Sequence, residues 1–310
     1  MKRKYAWSAM IALAVTAAVS IYGYYGGGIR CIAGTGLPDV LYRPAQSSVI
    51  PEKNSVPAEQ IRQKENNRRT ATATGTAATP SYSKHGWGIK RNDRHEQPEM
   101  PSGISSTLAR YGAYWIGKPG EKAVYLTFDE GYENGYTPKI LDILKANRVK
   151  AAFFVTGHYL KSQPELVKRM VAEGHIVGNH TMNHPSLPDI SDEQIKTELQ
   201  SVDDLFNKLT GQKMHYLRPP KGEYSEHTLA LTRDLGYHNI FWSLALVDWV
   251  PMPGGADEAY RSVMDNLHPG ALILLHAVSK DDTEALDRII KDIKAKGYSF
   301  KTLDDLTRGN

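Results

Sequence analysis

From about residue 105 onward, short apolar runs alternate with longer amphipathic runs along the chain. Short apolar runs that are bounded by polar or turn-forming residues are typical of strands buried on both faces. Seven such strands are predicted, namely AVYLTF (123–128), AAFFV (151–155), HIVGN (175–179), YLRP (216–219), NIFWSL (239–244), ALILL (271–275) and YSFK (298–301).

The runs between these strands have helical periodicity and carry helix start and stop signals. Thr137 is the predicted N-cap of the first of them, with Pro138 in its first turn. Ser191 is the predicted N-cap of a longer helix, with Glu193 and Gln194 close to capping-box spacing. The predicted helices span residues 138–146, 164–173, 192–209, 225–235, 256–266 and 282–296.

Strands that alternate with helices predict a parallel sheet whose connections are right-handed crossovers. Seven strands in this arrangement predict an α/β fold that closes, or nearly closes, into a (β/α) barrel. A flat, doubly wound sheet is the alternative, but the sequence has no glycine-rich dinucleotide-binding turn to support it.

The start of the chain has the pattern of a segment that enters a membrane. A basic stretch (2–4) precedes an uncharged stretch (5–29) whose apolar centre is residues 9–21. This pattern is typical of a cleaved signal peptide or of an uncleaved membrane anchor, and both alternatives apply to residues 1–31. Either one exports the rest of the chain, because the positive charges remain inside.

Residues 32–100 are predicted to form a largely disordered tether. The stretch ATATGTAATPSYS (71–83) is of low complexity, and such a composition buries too little apolar surface to offset chain entropy. The stretch HGWGIK (85–90) is an exception, because its side chain Trp87 can pack on a folded domain. The folded domain is predicted at residues 101–310.

Charge and cysteine content narrow the function classes. Residues 1–100 carry 14 Lys/Arg against 7 Asp/Glu, a net charge of +7, whereas residues 101–310 have a net charge of −3. A folded domain without excess positive charge is not typical of a nucleic-acid-binding protein. The basic N-terminal part is either a solvated linker or attracted to anionic lipid or wall polymer. Cys31 is the only cysteine, which excludes an intrachain disulfide, and Arg30 before it disfavours lipidation.

Polar side chains are concentrated where the predicted strands end, and these ends meet at one mouth of a parallel barrel. They are Asp129 and Glu130 after the first strand, His180 and His184 after the third, Arg218 after the fourth, Asp248 and Trp249 after the fifth, and His276 after the sixth. Taken singly, the histidines could be surface residues and the two carboxylates could cap the following helix. Together, their matched positions predict one functional site.

The residue types indicate hydrolysis. Two neutral histidines and a carboxylate are a common three-ligand set for a catalytic metal that keeps one position for water. A second carboxylate can act as general base, a histidine opposite can protonate a leaving nitrogen, and an arginine can keep the base ionised. The sequence has no G-x-S-x-G motif, so we expect hydrolysis of an amide or ester without a covalent intermediate.

Five motifs, TFDEGY, HTMNH, RPPKG, VDW and LLH, resemble in this order those of the polysaccharide deacetylases, the NodB-homology carbohydrate esterases. The resemblance covers roughly residues 120–305 and implies a distorted (β/α)7 barrel with parallel strands. The resemblance implies Asp129 as base, His276 as acid and Arg218 as the residue that braces the base. It implies the Lys221 amide at the oxyanion, Leu275 at the acetyl pocket and Trp249 at the groove wall. It also implies a divalent metal, most readily zinc, bound by His180 and His184, with Glu130 as a third ligand or as a group that contacts the ligands.

Two positions depart from the pattern of the family. Glu130 stands where the family usually has a second Asp, so we expect weak or atypical metal binding. Ala245 stands where the Asp-Trp motif usually begins with another Asp. If that Asp tunes the acid histidine in the family, Asp248 is the residue expected to do so here.

Longer stretches, including FDEGYENGYT, EGHIVGNHTMNHPSL and LRPPKGEYSE, resemble one branch of the family, the muramic δ-lactam-forming de-N-acetylases of spore formers. This resemblance implies a hydrolase that removes the acetyl group from N-acetylmuramic acid in peptidoglycan, on the way to the δ-lactam of spore cortex. We expect an exported monomer, secreted or membrane-anchored, that acts on glycan strands and not on nucleic acid.

Two alternatives remain open. The first is deacetylation of N-acetylglucosamine in peptidoglycan or in chitin-like oligomers. The second is a wall-binding protein with an inactive site, for which Glu130 and Ala245 are the motivation. Asp129, Arg218 and His276 argue against the second alternative, because a protein that only binds needs neither a base nor an acid.

Overall fold

The computed structural model describes residues 79–308. The predicted signal or anchor segment (1–31) and the predicted tether as far as residue 78 lie outside the described residues. Among residues 79–308, no helix is both long and apolar enough to cross a membrane.

The centre of the domain is a parallel sheet. The strands in chain order are β1 (His85–Gly86), β2 (Ala113–Tyr114), β3 (Ala123–Glu130), β4 (Ala152–Val155), β5 (Ile176–Asn179), β6 (Tyr216–Leu217), β7 (Glu223–Tyr224), β8 (His238–Ile240), β9 (Leu244–Ala245), β10 (Ala271–His276) and β11 (Ser299–Lys301). The large sheet has the order β2-β8-β6-β5-β4-β3-β10-β9, with β11 paired to the start of β3. Its strand pairs are parallel, whereas β1 and β7 form a separate antiparallel pair.

A single extended segment, residues 238–245, joins the two ends of this sheet. Its first part, β8, pairs with β6, and its last part, β9, pairs with β10. Between them, the Ser243 amide donates to the Leu272 carbonyl at 2.9 Å. The sheet therefore curls on itself, and the predicted distorted (β/α)7 barrel is confirmed. The seven predicted strands correspond to β3, β4, β5, β6, the β8–β9 segment, β10 and β11.

Most of the helices cover the outside of the sheet. The helices in chain order are α1 (Ile104–Arg110), α2 (Thr137–Ala146), α3 (Gly157–Ser162), α4 (Pro164–Ala172), α5 (Asp192–Thr210), α6 (Glu226–Asp234), α7 (Gly255–Met264), α8 (Lys280–Ala295) and α9 (Leu303–Arg308). Unlike the others, α9 contributes Leu303 and Leu306 to the cluster inside the barrel. All six predicted helices are present within two residues at each end, as α2 and α4 to α8. Helices α1, α3 and α9 were not predicted, because six or seven residues are too few to establish a helical period.

The predicted helix caps are partly right. Ser191 caps α5 in a capping box with Gln194, as predicted. Thr137 is not the N-cap of α2 but its first residue, after Tyr136. The Glu133 carboxylate instead accepts a hydrogen bond from the Thr137 amide at 3.3 Å, which leaves the Thr137 hydroxyl free to face Glu130.

Side chains of β3 alternate between two environments, as the pleat of a strand requires. Ala123 and Tyr125 belong to the cluster inside the barrel. Val124, Leu126 and Phe128 belong to the larger cluster between the sheet and the helices. The strand therefore directs Asp129 into the barrel and Glu130 toward the helices.

Residues 79–100 are packed on the barrel, which corrects the predicted disorder for this part of the tether. Strand β1 pairs with β7, and the Trp87 ring stacks on Phe241 with centroids 4.4 Å apart. The Trp87 indole N–H donates to the Trp242 carbonyl at 3.0 Å. The packing through Trp87 that the sequence allows is therefore present.

Candidate active site

The strand ends at the carboxyl side of the barrel open into a cavity of about 960 Å³. Of the residues that the sequence assigns to the site, those that line this cavity are Asp129, His180, His184, Lys221, Trp249 and His276. Strands β3 and β10 pair so that Asp129 and His276 are at the same level on neighbouring strands. The strand ends therefore bring the predicted base and the predicted acid into one cavity.

Arg218 holds Asp129 in place from inside the barrel. Arg218 is fully buried, and its guanidinium donates to Asp129 Oδ1 at 2.7 Å and to the Thr127 hydroxyl at 2.8 Å. Burial alone would raise the pKa of Asp129, but the charge and hydrogen bond of Arg218 and the charge of His276 outweigh it and lower the pKa. Asp129 is therefore ionised, and its Oδ2 remains free of the arginine.

His180 and His184 form a neutral pair beside Asp129. The His180 Nδ1 lies 2.8 Å from the Arg218 carbonyl, which can only accept, so Nδ1 carries the proton and Nε2 presents a lone pair. This Nε2 lies 3.5 Å from Asp129 Oδ2. The two imidazole rings are 4.7 Å apart at an angle of 70°. Burial lowers the pKa of both histidines, for His184 to about 4, so both are neutral near pH 7.

Glu130 is not at the metal position predicted for it. Its side chain is fully buried on the opposite face of β3, where the Thr137 hydroxyl donates to it at 3.4 Å. Burial and the charge of Glu133 raise the pKa of Glu130 well above its usual range, which favours the neutral acid. Because neighbouring strand residues point to opposite faces, Glu130 cannot share a site with Asp129 in this backbone.

The residues present fit a metal ion only in part. The two neutral imidazoles suit a divalent cation, and the His180 tautomer is the one that metal-binding histidines adopt. The third ligand is missing, since no cluster of three His, Cys, Asp or Glu side chains within residues 79–308 could hold a metal. The predicted set of His180, His184 and Glu130 is therefore reduced to its two histidines.

Asp248 is hydrogen-bonded to His276, the predicted acid. His276 Nδ1 donates to Asp248 Oδ1 and the His276 amide donates to Oδ2, both at 2.7 Å. Burial alone would lower the pKa of His276, but the hydrogen bond and charge of Asp248 outweigh it and raise the pKa. Ala245, where the family motif begins with Asp, lines the cavity without offering a carboxylate. Asp248 therefore makes the contact with His276 that was expected of it in place of a carboxylate at position 245.

The remaining predicted residues divide into two that line the cavity and one that does not. Lys221 has a left-handed backbone (φ 60°) in the turn after Arg218. Trp249 is 57% exposed, and its ring lies 5.3 Å from the His276 ring. The prediction that Leu275 lines the acetyl pocket is wrong, because Leu275 packs between the sheet and the helices. Its neighbour Leu274 lines the cavity instead.

Sequence reasoning missed several residues that shape the site. The Thr127 hydroxyl, bound to Arg218, lies two residues before Asp129 on the same strand face, so the period of the strand could have found it. The Asn179 side chain accepts from the Thr181 amide at 2.8 Å and thereby fixes the start of the histidine loop. Tyr132, His158 and Met182 also line the cavity. Tyr132 and Met182 lie on loops and His158 lies in the six-residue helix α3, so no periodic signal points to them.

Acid–base hydrolysis at the mouth of a parallel β/α barrel is the class of chemistry that this fold and site define. A family model described as polysaccharide deacetylase matches residues 116–240. The peptidoglycan-N-acetylmuramic acid deacetylase PdaA of Bacillus subtilis is 50% identical over 222 residues, which cover 71% of this chain and 84% of that protein. The chain belongs to the polysaccharide deacetylase family, whose members are in general metal-dependent hydrolases.

Two further comparisons agree with this family. The structure of Bacillus subtilis PdaA, described as a family 4 carbohydrate esterase, matches with a TM-score of 0.71 and 48% identity, and the match covers 74% of this chain and 99% of that one. A peptidoglycan-N-acetylglucosamine deacetylase of Bacillus cereus is 37% identical over 205 residues, which cover 65% of this chain and 74% of that protein.

Proposed function

We propose that this chain hydrolyses the N-acetyl group of N-acetylmuramic acid in peptidoglycan. The observation that carries the proposal is the adjacent placement of two charged pairs, Arg218–Asp129 and Asp248–His276, at the same level of neighbouring strands in one cavity. A base and an acid so placed suit an amide, whose nitrogen must leave protonated. The relative with 50% identity is named for N-acetylmuramic acid, which supports this sugar.

Asp129 acts as the general base. Its Oδ1 is held by Arg218, so its Oδ2 is the oxygen that can take a proton from a water molecule in the cavity. The water oxygen then forms a bond to the acetyl carbon, and the carbonyl oxygen becomes negatively charged. The backbone N–H of Lys221, held in its left-handed turn, donates to this oxyanion.

His276 acts as the general acid. Asp248 raises the pKa of His276 above its usual value, which increases its protonated fraction near neutral pH. Because Asp248 holds Nδ1, the proton on Nε2 is the one that is transferred. When the carbon–nitrogen bond breaks, this proton moves to the sugar nitrogen. The products are acetate and the free amine of the sugar. Trp249 forms the outer wall of the groove at this point.

We infer that His180 and His184 bind a divalent metal, most readily zinc, and that they bind it weakly because no third ligand joins them within residues 79–308. When bound, such an ion supplies polarisation of the acetyl carbonyl and of the attacking water.

The muramic sugar gives the free amine a further fate. Its lactyl carboxyl group can react with the neighbouring amine to close a δ-lactam, so we propose that the product leads toward the muramic δ-lactam of spore cortex. A peptidoglycan substrate places the chain in the cell envelope or outside the cell. The proposal further includes an N-terminal segment, residues 1–31, that is either a cleaved signal or an anchor, and a monomeric enzyme.

Acetate release from purified peptidoglycan tests the enzyme assignment. Asp129→Asn removes the base but keeps its size, and we expect a loss of about 10²–10⁴-fold in rate. The control is Asp142→Asn, the same change on the exposed face of α2, which should leave the rate unchanged. Near-ultraviolet circular dichroism checks that the aromatic rings around the buried Arg218, Phe154 and Trp242, keep their environment. Full acetate release by a folded Asp129→Asn variant would exclude Asp129 as the base.

A further inference from the structure

Asp282 is a buried carboxyl group that the proposed mechanism does not use. It lies in the first turn of α8, is only 2% exposed, and its backbone amide donates to the Ser279 hydroxyl at 3.1 Å. Within residues 79–308, neither of its side-chain oxygens has a hydrogen-bond partner of regular geometry. The Ser279 hydroxyl is the nearby donor, and its contact lowers the pKa of Asp282 against the larger effect of burial. Buried polar atoms almost always have a hydrogen-bond partner, so an orphaned carboxyl group requires an explanation.

The neighbour of Asp282 is the Asp248 carboxylate, and the two carboxyl groups lie close enough to form a hydrogen bond when one of them is protonated. Two buried carboxylates in contact cannot both be ionised, so one proton lies between them. Asp248 already accepts two hydrogen bonds from His276, and these favour its ionised form. The proton therefore resides on Asp282, where it satisfies one of the two orphaned oxygens.

We propose that Asp282 is a neutral carboxylic acid that donates its O–H to Asp248 and thereby positions the Asp248–His276 pair. The proposal rests on the proposed role of His276 as the general acid. Asp282 touches neither the cavity nor the substrate, so it is a positioning residue and not a catalytic one.

The charges around the pair support this protonation state. Burial and Asp248 together raise the pKa of Asp282 to about 10. Asp281, on the same turn, adds negative charge while its own carboxylate accepts from the Met252 amide at 2.9 Å. His276 also lies in the fields of Asp129 and Arg218, which oppose each other. A second negative charge at Asp282 would hold the proton of His276 more tightly and oppose its transfer.

Two substitutions distinguish positioning from mere packing. Asp282→Asn keeps the size of the side chain and an N–H donor for Asp248, so we expect kcat within about threefold of wild type and an unchanged basic limb of the pH profile. Asp282→Ala removes the donor, so we expect kcat to fall about 10- to 100-fold with KM nearly unchanged and the basic limb to move to higher pH. Asp281→Asn is the control, because it removes a charge on the same turn without touching Asp248.

The thermal midpoint gives a readout that does not depend on activity. A folded-state pKa raised above 3.8 means that the folded protein must keep a proton that the unfolded chain releases, so stability falls as pH rises toward about 10. Asp282→Asn lacks this penalty, and its midpoint should exceed that of wild type by an amount that grows from about pH 5 to about pH 8.

The outcomes separate this proposal from the proposed function. A pH-dependent midpoint difference supports the neutral acid even if the chain shows no deacetylase activity. A midpoint difference that does not change with pH, or an Asn variant whose basic limb moves to lower pH, shows that Asp282 is ionised and overturns the proposal. Equal losses of kcat in folded Asn and Ala variants, with unchanged pH profiles, also overturn it.

Discussion

Individual side chains at the site have pKa values displaced in opposite directions. Asp129 is held below its usual value of 3.8, mainly because Arg218 outweighs the effect of burial, and His276 is held above its usual value of 6.5 by Asp248. Asp129 and His276 are therefore both charged between pH 3.8 and pH 6.5. The base is ionised and the acid is protonated in the same pH range, which is the requirement for the two to act in one reaction.

The pH dependence follows from the side chain of Asp248. Asp248→Asn removes the charge that raises the pKa of His276 and leaves the burial that lowers it. We therefore expect the basic limb of kcat/KM to move to lower pH, with about 10²-fold loss of rate near neutral pH. Asp257→Asn, at an exposed position on α7, is the control. A basic limb that stays in place would show that Asp248 does not set the pKa of the acid.

The proposed metal site depends on the direction of the Glu130 side chain, because this direction decides whether its carboxylate can join His180 and His184. Since Glu130 faces the helices, we expect Glu130→Asp to bind Zn²⁺ with the affinity of wild type, whereas His184→Ala should lose about 10-fold or more. Titration of the chelated protein with Zn²⁺, Mn²⁺ and Co²⁺ measures both. Tighter binding by the Asp variant would show that position 130 does reach the metal, and a wild type that binds none would refute the proposed ion.

Strands and helices explain what the sequence could and could not predict. Strand positions were predictable because the strands are buried on both faces and are long enough to give a clear pattern. Burial on both faces also made the direction of single side chains unpredictable. A strand that is apolar throughout has no alternation to distinguish the face inside the barrel from the face that packs on the helices. Glu130 and Leu275 were assigned from the family resemblance, and a strand without alternation gave no signal that could correct the direction of their side chains.

The N-terminal part of the described chain behaves as an element of the domain. Trp87 stacks on Phe241, and the Ser81 carbonyl accepts from the His227 amide at 2.9 Å. The free energy of unfolding of a chain that begins at Thr79 should therefore exceed that of a chain that begins at Pro101 by about 2 kcal/mol or more. Urea unfolding of the two chains measures this difference.

A single substitution assigns this difference to its cause. Trp87→Ala in the longer chain should reproduce most of the loss, whereas Tyr82→Ala, at a ring that is 59% exposed, should cost much less. If the chains that begin at Thr79 and at Pro101 are equally stable, residues 79–100 do not stabilise the domain and belong to the tether.

The molecule as a whole brings together residues that are far apart in sequence. Arg218 and Asp129 are 89 positions apart, and His276 and Asp248 are 28 apart. The sequence predicts that these side chains lie at strand ends, and the rule that parallel strand ends meet predicts that they share a site. It does not predict which atoms bond. The hydrophobic pattern predicts a strand at 239–244 but not that this segment pairs with β6 at one end and with β10 at the other, and this double pairing sets the position of Asp248.

Mass spectrometry of the muropeptides tests the proposed function most directly. Purified peptidoglycan is treated with the wild-type chain and with Asp129→Asn, and the fragments are compared for loss of the acetyl group from each sugar. We predict that wild type deacetylates N-acetylmuramic acid, leaves N-acetylglucosamine intact, and that the variant deacetylates neither. Loss of acetyl from the glucosamine residues, with muramic acid unchanged, would contradict the assignment of the sugar, and loss from neither would contradict the assignment as an enzyme of peptidoglycan.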